Sequence, residues 1–304
     1  MIGIFGMTER KNGPTDRPSW IAIAFVGLTQ LSARIRAPLW RWWYNRMVAK
    51  DQTGHWLLMN YGFAGDDAKS PLALRPEDEP FRYPLQLYNH VVNGIDLAGK
   101  DILEVGCGRG GGGAYLARSR NLRSYTGVDL SEVAIDWCRQ RFQNPTMHWL
   151  AGKADALPLP DASVDVVINV ESSHCYPSMS RFLVEVRRVL RPGGYFAFCD
   201  MRTADGISDL DACVVDSGLH VVERQEITPN VLRALELVSE QREREITSHV
   251  PRLLRRAFRD FAGVKNSAVY DMLKQGRMVY VSYVATNGQA RRNSDRRELE
   301  TSVR

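Results

Sequence analysis

From residue 101 onward the chain alternates short apolar runs with stretches in which apolar residues recur at helical spacing. The runs predict strands at 101–105, 124–128, 147–150, 164–170, 194–200 and 219–226, with a last one from Arg277 to Ala285. The intervening segments predict helices at 112–120, 131–143, 179–190 and 205–217. Such alternation implies an α/β fold, a doubly wound and mostly parallel sheet with helices on both faces. Residues 85–93 read as a helix leading into the first strand, and residues 229–263, helical and dense in Arg and Glu, read as a helical cap.

Upstream, Leu28, Leu31, Ile35, Leu39 and Trp42 also recur at helical spacing. Pro38 divides them into two amphipathic helices, the second holding Trp40, Trp42, Trp43 and Tyr44. Residues 1–18 carry Gly, Pro and charge without a period and read as mobile, and residues 289–304 are polar without an apolar face and read as disordered. The chain therefore divides into an N-terminal helical extension or lid over 1–79, a main domain over 80–288 and a tail over 289–304.

Charge adds to this picture because it is uneven. The 304 residues carry a formal net charge of +5, yet residues 1–50 hold eight Lys or Arg against Glu9 and Asp16, which leaves the remainder close to neutral. A basic, aromatic end on a neutral body points to peripheral contact of residues 20–48 with a lipid surface, or to a lid over a greasy channel, and away from a nucleic-acid partner. Packing of the same aromatics onto the sheet domain is the plainer account. The apolar run 20–28 falls far short of the roughly 20 residues needed to cross a bilayer. Five scattered cysteines support neither a disulfide framework nor a zinc site and fit a reducing, cytoplasmic compartment.

The chemistry concentrates where the first strand ends. Gly106, Gly108 and the glycines at 110–113 lack a Cβ, so the backbone can take φ > 0 and let a ligand come against the main chain. Four consecutive glycines at a helix start cost about 1 kcal/mol each against Ala, so something other than helix stability favours them. The second strand ends in Asp129, where an open α/β sheet presents a carboxylate to the ribose hydroxyls of a bound nucleoside. Gly106, Gly108 and Gly111 also satisfy the dinucleotide fingerprint, which taken alone leaves an NAD-dependent oxidoreductase open.

Three further stretches change the balance: Gly152 to Asp161, Val164 to Val170 and Val189 to Tyr195. Together with Glu104 they resemble, in order and spacing, the motif series of class I S-adenosylmethionine-dependent methyltransferases. Residues 169–177 and, more loosely, 270–283 are similar to the lipid and polyketide O-methyltransferases of the phthiotriolone and phenolphthiotriolone dimycocerosate type. The resemblance implies a Rossmann-like, seven-stranded sheet whose last strand lies antiparallel between its neighbours, and S-adenosylmethionine as cofactor. It also implies that Glu104 and the backbone of Gly106, Cys107, Gly108 and Gly110 hold the methionyl part. Asp129, with Leu130 beside it, would meet the ribose, Asp155 and Ala156 the adenine edge, and Asn169 would line the floor.

Methyl transfer is an in-line displacement, so alignment of the partners and timely removal of a proton are what the protein supplies. His174 lies four residues past the strand 164–170, on the loop facing the crevice, and is the best base in the chain, with Asp200 at the end of the next strand to orient it. Glu171 is an alternative base. These oxygen ligands are too few for a metal site. The expected reaction is O-methylation of a hydroxyl on a hydrophobic small molecule, with C- or N-methylation, an oxidoreductase and a non-catalytic binding module as alternatives.

Overall fold

A computed structural model describes residues 57–65, 72–250, 252 and 255–288. The helices expected within 20–48 and the tail 289–304 lie outside the described residues. After helix α1 (Arg82–Val91) the chain runs through β1 (Asp101–Val105), α2 (Gly111–Ser119), β2 (Ser124–Asp129), α3 (Glu132–Arg141), β3 (Met147–Ala151), β4 (Val164–Val170), α4 (Met179–Val189), β5 (Leu190–Thr203), α5 (Ile207–Asp216) and β6 (His220–Glu226). Helices α6 (Thr228–His249), α7 (Arg255–Phe261) and α8 (Ala268–Lys274) precede the last strand, β7 (Met278–Thr286). The residues 229–263 expected to form a cap hold α6 and α7. Among the described residues no helix is long and apolar enough to cross a membrane.

The seven strands are ordered β3-β2-β1-β4-β5-β7-β6, with β7 antiparallel to both β5 and β6 and the other pairs parallel. The order reverses between β1 and β4, and it is at such a switch point that an open α/β sheet forms a crevice beyond its carboxyl ends. Strand alternation sends Ile102, Tyr125 and Ile168 to the core shared with α1, α2 and α6, and Leu103, Val167 and Phe196 to the core under α4 and α5. Both faces are covered, which is why these strands read as near-continuous apolar runs.

The larger boundary differences from the sequence reading fall on one strand and one helix. Strand β5 begins at Leu190, which pairs with Val164 before a register shift lets the turn at Gly193 (φ 78°) bulge out, and it continues to Thr203 because β7 pairs with it as far as Met278. Helix α1 starts at Arg82.

The glycine run needs a larger correction. Left-handed φ values occur at Gly106, Gly108 and Gly110 but not at 111–113, which form the first turn of α2. There the missing side chains make room for protein. A Cβ on Gly112 would stand 1.9 Å from Cζ of Tyr88, one on Gly113 2.0 Å from Cζ of Tyr125, and one on Gly111 2.7 Å from the carbonyl oxygen of Leu57. Close approach of α2 to α1, to β2 and to the 57–65 segment, in that order, accounts for these three. Gly112→Ala should therefore destabilise the fold by about 1–3 kcal/mol through overpacking, although Ala is the better helix former by about 1 kcal/mol. Denaturant unfolding checks the sign, and a stabilised variant would refute the packing argument.

Candidate active site

The turn after β1 is tied to β2 by the Gly106 and Cys107 amides, which donate to the Val128 carbonyl at 2.7 and 3.1 Å. Its left-handed glycines then carry the chain around the end of Asp129. One Asp129 oxygen accepts from the Gly108 amide at 2.9 Å and the other from the Ser131 amide at 2.9 Å. Burial pushes the carboxyl pKa upward, and these amides oppose the shift. Ser131 in turn caps α3 by accepting from the Ala134 amide, and Leu130, 39% exposed, flanks the carboxylate. The Cys107 thiol is buried, which raises its pKa well above the usual thiol value and keeps it protonated.

Beneath this turn sits Asn169. Its Nδ2 lies 2.9 Å from the Val105 carbonyl, 2.8 Å from Ser172 Oγ and 2.9 Å from the Tyr176 hydroxyl, while its buried Oδ1 has no partner among the described residues. Gly106 has to be glycine here, since a Cβ would fall 2.3 Å from Ser172 Oγ. Asp155 and Ala156 lie in the turn after β3, which the Gly152 amide fastens to the Asp129 carbonyl at 2.9 Å, and the nearest cation to Asp155 is Arg181 at 3.8 Å.

Glu104 is fully buried, and both carboxyl oxygens are engaged by protein, accepting from the hydroxyls of Tyr88 (2.6 Å) and Tyr125. Burial pushes it up to about 7. Its contacts are to α1 and β2 behind the turn.

Across the crevice, His174 and Asp200 meet. The imidazole Nδ1 is 2.7 Å from one Asp200 oxygen, and the other accepts from the His174 amide at 2.8 Å and from Ser173 Oγ at 2.6 Å. Asp200 is fully buried; burial alone would raise it, but His174⁺ and Arg202 hold it well below the usual carboxylate range. Burial acts to lower the pKa of His174, yet the Asp200 charge and hydrogen bond, with Cys175 alongside, lift it well above the ordinary histidine value. Glu171 closes the same pocket. It holds φ +47°, a strained value for a side chain of this kind, and accepts from the Tyr61 amide at 2.6 Å. Burial pushes it up to about 7.

Residues 103–198 match the family described as a methyltransferase domain. The chain is 38% identical over 261 residues to the phthiotriol/phenolphthiotriol dimycocerosates methyltransferase of Mycobacterium leprae (strain TN), a match covering 86% of this chain and 95% of that one. The chain belongs to that methyltransferase family. It is also 37% identical over 227 residues to the fatty-acid O-methyltransferase of Mycolicibacterium smegmatis (strain ATCC 700084 / mc(2)155), covering 75% of this chain and 82% of the other. The cyclopropane synthase MmaA2 of Mycobacterium tuberculosis shares the fold with a TM-score of 0.61 at 13% identity, covering 79% of this chain and 95% of that one.

The enzyme's cofactor is S-adenosylmethionine, and the nicotinamide alternative falls away. The residues present fit such a group. Asp129 keeps acceptor capacity on both oxygens beyond the two amides it receives, Asn169 Oδ1 is buried without a partner among the described residues, and the Gly106–Gly110 turn presents bare backbone between them.

Several contributors escaped the sequence. Tyr88 and Tyr125 escaped because their hydroxyls matter only once helix and strand meet Glu104. Tyr61 and Arg242 lie far from the catalytic loop in the chain; Arg242 is buried between the Asn60 carbonyl (3.2 Å) and the Ala262 carbonyl (2.6 Å), and burial lowers its pKa. Arg202 was legible, two positions after Asp200 on one strand face.

Glu104 gives a pH test. Its folded pKa lies above the unfolded carboxyl value, so its contribution is greatest at low pH and is lost as pH rises toward about 7. Relative to wild type, Glu104→Gln should gain of order 2 kcal/mol of stability between pH 5 and 8, read from urea unfolding at several pH values. A constant difference across that range would mean that Glu104 titrates normally.

Proposed function

We propose that the enzyme methylates a hydroxyl oxygen of a hydrophobic lipid- or polyketide-like acceptor, with His174 as general base and Asp200 orienting it. The observation that carries this reading is the 2.7 Å contact between His174 Nδ1 and the buried Asp200, on the loop that follows β4 into the crevice. The names of the relatives, which act on dimycocerosate lipids and fatty acids, support the acceptor class.

S-adenosylmethionine supplies an electrophilic methyl group. In our reading Asp129 receives the ribose hydroxyls, with Leu130 against the base; Asp155 and Ala156 border the adenine, and Asn169 and the backbone of Gly106, Cys107, Gly108 and Gly110 face the methionyl end. Glu104 acts from behind, holding the turn through Tyr88 and Tyr125. An alcohol is a weak nucleophile while protonated, so the proton must leave as the new C–O bond forms. With Nδ1 committed to Asp200, the imidazole receives that proton at Nε2, and the resulting imidazolium is stabilised by the carboxylate. Glu171, at about 7, is the second base candidate, although Tyr61 occupies one of its oxygens.

We assign the methyltransferase domain to 80–288 with its cap at 229–263. The basic, aromatic residues 20–48 of the extension 1–79 would bring the acceptor from a lipid surface in the cytoplasm.

His174→Ala should lower kcat about 10²–10⁴-fold with long-chain alcohol or phenolic acceptors while leaving S-adenosylhomocysteine affinity, measured by calorimetry, within about threefold of wild type. Glu171→Gln separates the two bases: a larger loss there than in His174→Ala reassigns the role. Because the base must be unprotonated and its pKa is raised, kcat should climb with pH through a midpoint above the ordinary histidine value near 6.5. A flat profile from pH 6 to 9 with chemistry rate-limiting would exclude an imidazole base.

A further inference from the structure

Strand alternation puts Arg202 on the same face of β5 as Asp200. Its Nη1 lies 3.2 Å from Asp200 Oδ2, and its Nη2 donates at 2.7 Å to Ser173 Oγ, which itself donates at 2.6 Å to that same oxygen. Asp200 is thus held on one side by the imidazole and on the other by a guanidinium, once directly and once through a hydroxyl relay. The Met201 amide, at 2.8 Å from Oδ1, completes the set.

A fully buried carboxylate serving only as a histidine anchor would already be satisfied by the two backbone amides, the serine and the imidazole. A second cation adds something different. Coulomb attraction between Asp200 and an imidazolium favours the protonated ring, and a base that stays protonated at working pH cannot accept a proton. Arg202 offsets part of that attraction. The groups that face the ring are Asp200 from β5, Cys175 from its own turn and Glu171 from the end of β4, with Tyr280 of β7 behind Glu171 and Asp200. Arg202 is the cation among them that contacts Asp200, with side-chain exposure of 17%.

We propose that Arg202 is a positioning residue for the base: by sharing the Asp200 carboxylate with His174, directly and through Ser173, it fixes the ring's orientation and loosens Asp200's hold on the imidazolium proton. The proposal rests on the reading of His174 as the base. Arg202 touches neither reacting atom; it acts through Asp200.

The test follows the His174 ring by NMR in histidine-labelled full-length protein saturated with S-adenosylhomocysteine, assigned by difference with His174→Ala. In Arg202→Gln the titration midpoint should move up by about one pH unit, and the rising limb of kcat against pH should move with it. Arg202→Lys, which keeps the charge, should restore a midpoint near that of wild type. Ser173→Ala removes the relay without removing a charge and should give a smaller upward move, so it still decides the matter if Arg202→Gln does not fold. Unchanged midpoints in folded, cofactor-binding Arg202→Gln and Ser173→Ala proteins would overturn the proposal. A midpoint that moves while the kcat limb stays put would sustain the coupling and sink the base assignment instead.

Discussion

The cofactor side of the site depends on how closely helix α2 packs against α1 and β2. Gly112 and Gly113 leave no Cβ, so the rings of Tyr88 and Tyr125 occupy that space, and their hydroxyls reach the carboxyl of Glu104 at the end of β1. A buried, unpaired carboxylate would be strongly unfavourable, while hydrogen bonds to a charged acceptor contribute about 1.5–3 kcal/mol each. Removing either tyrosine would unseat both the helix and the acid. The same contact binds α1, α2, β1 and β2 into one unit from which the Gly106–Gly110 turn projects. What looks in sequence like a loop opened for a ligand is, over 111–113, a helix start packed against the 57–65 segment, α1 and β2.

The cluster around Asp200 rests on a different balance. Asp200 is inside the protein as an anion, and its neighbours, two backbone amides, a serine, an imidazole and a guanidinium, are what keep it ionised. Because all converge on one carboxylate, the charge state of His174 is a property of the cluster and not of the histidine. Glu171 shows the opposite tendency a few residues earlier. Burial, with the Asp200 charge nearby, drives it toward neutrality, and the Tyr61 amide opposes that shift. Two carboxyl groups close to one imidazole are thereby driven apart in pKa, Glu171 upward and Asp200 downward.

Most of the fold was legible in the chain because it is written in local terms. The alternation of apolar runs with helical spacing located every strand, and Asp129 and His174 could be placed because each follows such a run by a fixed step. Boundaries failed where partners decided them: β5 extends because β7 continues opposite, and its start is set by a bulge at Gly193. Gly112 and Gly113 were misread because glycines beside a cofactor motif invite a ligand reading, whereas the space there is taken by Tyr88 and Tyr125, which lie 16 and 21 residues from Glu104 in the chain and donate to its carboxyl.

Contacts at still longer range explain why the cofactor turn is easier to read than the surroundings of Glu171. The strap at residues 57–65 is pinned to Glu171 through the Tyr61 amide, to α6 through paired hydrogen bonds between Ala64 and Asn230, and to α1 through the Phe63 amide and the stacking of Phe63 on His90. Arg242 links this strap to the turn after α7. The surroundings of Glu171 are therefore built from pieces separated by more than 100 residues, and no spacing rule reports on such an arrangement. The cofactor turn, by contrast, is one continuous stretch whose geometry follows from its glycines. A sequence motif can therefore report on the turn, while the surroundings of Glu171 become visible only once the chain has folded.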